Sequence, residues 1–439
     1  MAAIKERLRT GAKALRARGF FHIFFGNTLV KIISLSSAML LPRILSSTTD
    51  YGLLSTIDNF NSYLILLNGM GLSTSVLRYC SLEESKEGKT AIFHFAFRWG
   101  MIFNGILLLI FLPMLFFSTI FADGTYATAR LYILVACLLP SLTYGLDLVL
   151  VYMRSNFMNR AFARISVLYT LFYAGFQIFF AFFAAIRGVI IGRYIAVSAI
   201  VAIGLFILFR EKALAKEPPL LSSSHKKELL RYGLGSMFAN ALSMIMPLNE
   251  TLVINMALQD LSTTAYYKAA STVPSNIQYV ALSVATFIYP YFAKNTGKTK
   301  WVKKYSLLTL AGMSVIMGTA VVVGFFASPY IISIIYGKDY LPAVPIMQAM
   351  WVAYALNSAL RIPLGNILAA MGELRFNIIL SAVTCILHFG LDWFFISNMG
   401  ISGAAYALTI SYALSGAASF AYLLYYCRRV RRNEGFIEK

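Results

Sequence analysis

The chain has 439 residues, of which 59% are hydrophobic and only 13% are charged, and its mean hydropathy is +0.70. A water-soluble protein needs far more polar surface to cover such a core, so the composition excludes a soluble globular protein. The net charge of +20 could suggest nucleic-acid binding, but the basic residues follow the loops between apolar segments, and nucleic acid is not needed to explain them.

Apolar segments of about 20 residues or more recur along the whole chain, and each is long enough as a helix to cross a hydrocarbon layer of roughly 30 Å. The predicted spans, in chain order, are 20–41, 53–77, 91–117, 131–153, 165–186, 188–209, 232–257, 265–292, 305–328, 341–371, 376–397 and 401–427. The sequence therefore predicts an all-α integral membrane protein with twelve transmembrane helices.

The basic residues are distributed unevenly between the two sets of loops. With the N-terminus in the cytoplasm, the cytoplasmic loops and both termini hold 29 of the 38 Lys and Arg residues. The opposite loops hold only Arg43, Arg130, Arg187 and Lys338. Because cytoplasmic loops collect Lys and Arg, we predict a multi-pass membrane protein with both termini in the cytoplasm. The same charges are expected to contact anionic lipid headgroups.

The N-terminal segment resembles a signal peptide only superficially. Its apolar part is too long, contains Lys31 and ends at Pro42-Arg43 without a small-residue cleavage site. We therefore expect a retained first helix. The four cysteines fall at the cytoplasmic face or within spans, so they predict no exported disulfide framework, and no Cys/His spacing predicts a metal site.

A polar stretch at residues 210–231 divides the spans six and six, and contains Pro218-Pro219 and six basic residues. We predict an N-terminal six-helix lobe (1–209), a cytoplasmic linker (210–231), a C-terminal six-helix lobe (232–427) and a basic cytoplasmic tail (428–439). Because six is even, both lobes begin on the cytoplasmic side, which predicts a parallel pseudo-repeat.

Prolines and glycines interrupt the spans. Pro140, Pro274 and Pro363 lie inside predicted helices, and Gly69-Met70-Gly71 places small residues where helices approach closely. These features fit a moving helix bundle and are equally compatible with a static one.

Motifs for nucleotide hydrolysis and for enzymatic chemistry are not found. Two Gly-Lys-Thr triplets begin at Gly88 and Gly297, but the phosphate loop needs a glycine five residues earlier, where Glu83 and Phe292 stand. Signatures of serine hydrolases and zinc proteases do not occur either. The external loops are also short, so a membrane transferase lacks a water-exposed segment for its second substrate. We predict that the chain is not an enzyme.

Charged residues inside the spans are the main functional signal. They are Lys31, Asp58, Arg98, Asp147, Arg193, Glu250, Lys268, Arg361 and Asp392, with His388 beside the last. Each would cost roughly 2.5–3.5 kcal/mol if it faced lipid at mid-depth, so we expect them to point inward or toward headgroups. Lys31 lies near the centre of its span. Arg98 and Arg193 lie close to span ends and are expected to extend to the headgroups.

The acidic residues leave alternatives open. Glu250 follows Pro247, which removes a backbone hydrogen bond, so its carboxylate is a candidate ion or proton site; a structural pair with Lys268 is equally compatible. His388 and Asp392 are four residues apart and share a helix face, which favours a packing contact over a proton relay. For Asp58 and Asp147 the sequence indicates only that they face inward.

A family resemblance is spread over nearly the full length of the chain. The stretches that carry it are LVKIISLSSAMLLPRILSSTTDYGLLSTI (29–57), GMGLSTSVLRY (69–79), IIYGKDYLPAVPIMQAM (334–350), AAMGELRFNIILSAV (369–383) and GISGAAYALTISYALS (400–415). In their order and spacing they resemble the polysaccharide-transport flippases of the Wzx type, within the multidrug/oligosaccharidyl-lipid/polysaccharide exporter superfamily. The two additional helices usual in lipid II flippases are absent from the predicted spans.

The resemblance implies two six-helix lobes around a central cavity, with alternating access to the two sides of the membrane. It also implies a location in the bacterial cell membrane. The implied substrate is a polyprenyl-diphosphate-linked oligosaccharide, such as an O-antigen repeat unit. On this basis we expect Lys31, Arg78 and Arg361 to bind the anionic substrate. Glu250 is expected to couple transport to H⁺ or Na⁺, with Asp58 and Asp392 as further candidates.

No cofactor other than the coupling ion is expected. The expected partners are the lipid-linked oligosaccharide and membrane lipids, and a polysaccharide polymerase and glycosyltransferases are further candidates. The main alternative is a drug or cation antiporter of the same superfamily, although Lys31 would repel a cationic ligand. A membrane-embedded glycan transferase and a non-transporting assembly scaffold are the remaining alternatives.

Overall fold

The structure is a computed structural model, and it describes residues 20–45, 47–117 and 124–437. These residues form α-helices joined by short turns, with two 3-10 segments and one π-helix, and no β-strand occurs among them. The all-α class is therefore confirmed. The basic segment before residue 20, predicted to be cytoplasmic, lies outside the described residues.

Short helices occur where the chain bends, and long helices occur where it is predicted to cross the membrane. The first group is α1 (Phe20–Ile44), α2 (Thr48–Leu66), α3 (Leu72–Leu82), α4 (Lys86–Phe117), α5 (Gly124–Ala136), α6 (Leu139–Ser155) and α7 (Asn159–Arg210). The second group is α8 (Ser223–Ala257), α9 (Leu261–Ser275), α10 (Gln278–Lys294), α11 (Thr299–Ile335), α12 (Val344–Leu356), α13 (Ile362–Ala370), α14 (Leu374–Met399) and α15 (Ser402–Ile437).

Each of the twelve predicted spans falls on one of these helices, on one arm of α7, or on two helices separated by a bend. Among the described residues, six helices are long and apolar enough to cross a membrane, and α5 with α6, bent by 43°, makes a seventh. Large apolar side chains are exposed along these helices, for example Leu109, Phe183, Phe326 and Ile386. Such exposure fits contact with lipid tails.

Three of the helix ends coincide with prolines that the sequence places inside predicted spans. Pro140 lies in the first turn of α6 and Pro363 in the first turn of α13, after the π-helix Asn357–Arg361. Pro274 lies in the last turn of α9, before α10 begins. Proline has no N–H to donate to the preceding turn, so it starts a helix well and ends one readily.

The Gly69-Met70-Gly71 segment turns the chain between α2 and α3 with three successive positive φ angles, of 57°, 56° and 67°. A Cβ atom on Gly69 would lie 2.0 Å from the Tyr144 ring, so a side chain is excluded there. Asn104 fixes the turn, since its Oδ1 accepts a hydrogen bond of 2.8 Å from the Gly69 N–H. The close approach predicted at this segment is confirmed.

α7 is a helical hairpin without a loop. Its backbone leaves the helical region only at Ala184 and Ala185, and the two arms pack against each other. A Cβ atom on Gly188 would lie 1.9 Å from the Phe180 carbonyl oxygen, and one on Gly192 would lie 2.4 Å from that of Phe176. The glycines therefore permit the backbones of the two arms to touch.

The chain forms two compact units. One comprises Met1–Asp50 with Ile57–Ala241, and the other Tyr51–Thr56 with Leu242–Lys439. The core of the first unit is built around the buried Tyr144, Tyr152 and Ile165. The second unit has two apolar clusters, one around Phe292 and Leu364 and one around Met313 and Met317.

Candidate functional site

The candidate site is a buried cluster of three titratable side chains in the second unit: Glu250 on α8, and His388 and Asp392 on α14. His388 Nε2 lies 3.2 Å from Glu250 Oε1 and 3.1 Å from Asp392 Oδ2. All three residues are completely buried. One ligand atom of each lies within 4.8 Å of those of the other two, so a single proton or cation can be shared by all three.

Local structure explains how the three groups meet. His388 and Asp392 are four residues apart, so α14 presents both on one face. Glu250 lies in α8 three residues after Pro247, where a backbone hydrogen bond is missing. Ser411 on α15 lies with its hydroxyl 3.2 Å from His388 Nδ1, which orients the imidazole and leaves Nε2 directed at the carboxylates.

The cluster has more hydrogen-bond acceptors than donors. Within the described chain, neither His388 Nε2 nor any carboxylate oxygen of Glu250 and Asp392 has a partner in hydrogen-bond geometry. The short Nε2 distances are therefore close contacts with poor hydrogen-bond angles, and one nitrogen carries at most one hydrogen for two carboxylates. An uncompensated buried charge costs several kcal/mol, so an added proton or cation would stabilise the cluster.

Two tyrosines and two basic residues surround the cluster at longer range. Tyr354 and Tyr412 have ring centroids 6.3 Å apart, and both interact electrostatically with Glu250. Arg361, half-buried at the end of the π-helix, interacts in the same way with Tyr412 and His388. Lys268 is exposed and acts on Glu250 only through such longer-range electrostatics.

These contacts identify the direct partners of Glu250 and His388. The close contact of Glu250 is with His388, so the structural pair with Lys268 is not formed as a direct contact. The predicted contact between His388 and Asp392 is present, and the roles of the three residues stay predictions. Glu250 and His388 are far apart in the chain. The sequence shows that both are titratable groups inside spans, but it does not predict their contact.

Asp58 lies in a second polar network, in the first unit. Its carboxylate pairs with Arg193 through two contacts, of which Nη2 to Oδ2 is 3.0 Å. Arg193 Nε donates to Gln177 Oε1 at 3.0 Å, and Gln177 Nε2 donates to Ser37 Oγ at 2.7 Å. The guanidinium carbon lies 5.4 Å from the centroid of the Tyr173 ring. The network joins α1, α2 and both arms of α7.

The expectation that Arg193 extends to the headgroups is wrong. Arg193 is only 6% exposed and is held by Asp58 and Gln177. Its position near a span end suggested an easy route to water. The hairpin instead brings a carboxylate and an amide oxygen within reach, and these charge-assisted hydrogen bonds stabilise the buried guanidinium.

The three predicted substrate-binding residues are divided between the two units. Lys31 on α1 and Arg78 on α3 belong to the first unit and are exposed, whereas Arg361 belongs to the second unit. The guanidinium carbon of Arg78 lies 4.7 Å from the centroid of the Tyr232 ring. Their roles in substrate binding stay predictions.

The fold matches those of known transporters. An inward-facing multidrug resistance MATE family transporter of the MOP superfamily superposes with a TM-score of 0.68 at 15% identity, covering 92% of this chain and 94% of the other. The lipid II flippase MurJ in an inward closed conformation gives 0.70 at 15% identity, covering 94% and 90%. A MOP superfamily transporter from Pyrococcus furiosus gives 0.62 at 14% identity, covering 94% and 96%.

These likenesses define the class of the protein: a multi-pass helical membrane protein with the fold of the MOP superfamily. The chain belongs to the polysaccharide biosynthesis protein family, whose model matches residues 17–296. The predicted polysaccharide family is therefore confirmed, and the predicted fold agrees with that of the matched structures. The matched structures are described as transporters and a flippase, in agreement with the predicted non-enzymatic function. A comparison with curated proteins finds no matching sequence.

Proposed function

We propose that the protein is a flippase, which moves a polyprenyl-diphosphate-linked oligosaccharide from the cytoplasmic to the external leaflet of the cell membrane by alternating access. The observation that carries the proposal is the match of residues 17–296 to the polysaccharide biosynthesis family on a MOP-superfamily fold. The likeness to the lipid II flippase supports a lipid-linked substrate rather than a free one.

Physical chemistry makes such a carrier necessary. Each bare hydroxyl that enters hydrocarbon costs roughly 4–8 kcal/mol, so even a short oligosaccharide cannot cross a bilayer unaided. Its diphosphate adds negative charge, which basic side chains within the protein can offset. Lys31, Arg78 and Arg361 are our candidates for this role, and Lys31 has the greatest weight because it lies near the middle of its span.

The same proposal assigns ion coupling to Glu250, with Asp392 and His388. A bare cluster would hold two buried negative charges against one neutral imidazole, so it is most stable with one proton or one Na⁺ bound. An ion drives transport only if it binds two conformations with different affinities. The three ligands lie on α8 and α14, so any movement of one helix along the other changes the affinity for the ion.

The test is translocation of a fluorescent polyprenyl-diphosphate oligosaccharide in proteoliposomes, followed with a membrane-impermeant quencher under a pH or Na⁺ gradient. We expect the wild type to translocate faster than empty vesicles and to respond to one gradient. Glu250→Gln should lose the gradient response, whereas Glu84→Gln, which removes an exposed loop carboxylate, should keep it.

Two results contradict the proposal. Translocation no faster than in empty vesicles refutes the flippase function and supports a scaffold. Exchange of a cationic dye for H⁺ or Na⁺, without movement of the lipid, identifies an antiporter. A gradient response that survives in Glu250→Gln leaves the flippase intact but removes Glu250 from coupling.

A further inference from the structure

A basic cleft lies in the first unit, between the beginning of α4 and the segment that leads into α8. Its volume is about 240 Å³. Three basic residues, His94, Arg98 and Lys226, line the cleft, and its lining contains no carboxylate. α8 begins beside it at Ser223 with no acidic residue in its first turn, so the helix dipole adds to the positive potential. The cleft is therefore suited to an anion.

The depth of the cleft follows from the charge pattern of α4. Residues 99–117 contain no charged side chain and span about 28 Å at 1.5 Å per residue, close to the hydrocarbon thickness of a bilayer. Arg98 is the last charge before this stretch, and Trp99 next to it also lines the cleft. Tryptophan prefers the headgroup region, so the cleft lies at the level of lipid headgroups.

The segment that precedes α8 and forms one wall of the cleft is hydrogen-bonded to the helices of the unit. The Ala215 N–H donates to Thr90 Oγ1 at 2.9 Å, and the Tyr152 hydroxyl donates to the Ala213 carbonyl at 3.0 Å. Leu221 packs against the core of the unit. The predicted cytoplasmic linker is therefore attached to the helices of the unit, and it forms a defined wall of the cleft.

Apolar surface continues from the cleft into the membrane. Leu220, on its rim, is 96% exposed, and Trp99 is 46% exposed. Below Trp99, the exposed side chains of Ile102, Ile106 and Leu109 follow one another at helical spacing along one face of α4. A free anion makes no use of this stripe, whereas an acyl chain attached to an anionic headgroup lies along it.

We propose that this cleft binds the phosphate headgroup of an anionic phospholipid, whose tails lie along Trp99 and the exposed stripe of α4. The headgroup pairs with Arg98 and Lys226, and His94 adds a hydrogen-bond donor. The volume is below the roughly 300–1,000 Å³ of sites that enclose a drug-sized molecule, which fits a headgroup held with its tails outside.

The test is native mass spectrometry of the full-length protein in detergent, titrated with phosphatidylglycerol, phosphatidylcholine or inorganic phosphate. We expect phosphatidylglycerol to bind more tightly than phosphatidylcholine. The double variant Arg98→Gln/Lys226→Gln should weaken it about thirty-fold, which corresponds to about 1 kcal/mol for each basic residue. Arg98→Lys keeps the charge and should bind nearly as well as the wild type.

The matched control is Lys227→Gln/Lys303→Gln, which removes two exposed lysines that do not line the cleft. Equal losses in the control and in the cleft variant would show that total charge, not this cleft, attracts the lipid, and would overturn the proposal. An unchanged affinity in the cleft variant would overturn it as well. Displacement of the lipid by inorganic phosphate at equal concentration would assign the cleft to a free anion instead.

Discussion

Replacing Asp58 by asparagine should destabilise the first unit strongly, because it leaves Arg193 buried without its counter-charge. Arg193 is 6% exposed, and its remaining partners are Gln177 and the Tyr173 ring. Breaking a buried ion pair by removing one partner typically costs about 3–5 kcal/mol. For a folding unit of this size, about 2–4 °C per kcal/mol applies, so the thermal midpoint should fall by about 6–20 °C.

Replacing Arg193 instead of Asp58 should lower the stability of the unit less. Arg193→Met leaves the carboxylate of Asp58, whose side chain is 38% exposed and can be hydrated. The double variant Asp58→Asn/Arg193→Met should be close to the single Arg193 variant, since no unpaired charge remains. The asymmetry is a direct consequence of the unequal burial of the two partners.

The assay is thermal unfolding of detergent-purified protein, monitored by the loss of the monodisperse peak in size-exclusion chromatography. All three variants should reach similar membrane abundance at low temperature for the comparison to hold. The reasoning is refuted if Arg193→Met is the more damaging of the two single variants, or if Asp58→Asn leaves the midpoint unchanged.

Three further predictions follow from other contacts. Gly188→Ala should lower the free energy of unfolding by at least the roughly 1–3 kcal/mol of overpacking, because its Cβ would lie 1.9 Å from a backbone oxygen. Gly175→Ala in the same helix meets nothing within 4 Å and should be neutral or stabilising. Equal thermal midpoints of the two variants would contradict this. Tyr422→Phe removes a 2.7 Å hydrogen bond to Glu373 and should lower the free energy of unfolding by about 1 kcal/mol in the same assay. A stabilised variant would show that the bond contributes nothing. Lys31→Ala at matched membrane abundance should reduce surface polysaccharide while Lys31→Arg retains it, and full export by both would exclude Lys31 from the mechanism.

Features encoded locally in the sequence could be predicted. Runs of apolar residues determine where helices cross the membrane, so the spans agree with the helices from α1 to α15. Pro140 and Pro363 act on their own turn of helix, so the bends at these positions could also be predicted. The close approach at Gly69 also follows from the absence of a Cβ atom there.

Contacts between distant segments could not be predicted in this way. The cost of placing charge in lipid indicates that Glu250 and His388 point inward, but it does not say which helices lie next to each other. The error for Arg193 has the same origin, since its depth was read from one span while its partners lie on α2 and on the other arm of α7. The charge pattern showed that partners were needed but could not identify them.

The loop-free hairpin of α7 has a consequence for biogenesis. Its two arms meet at Ala184 and Ala185, so the second arm leaves the ribosome directly behind the first. Gln177, which accepts a hydrogen bond from Arg193, lies on the arm that is synthesised first. The guanidinium therefore follows its own acceptor along the chain, and we expect the two arms to enter the bilayer as one unit.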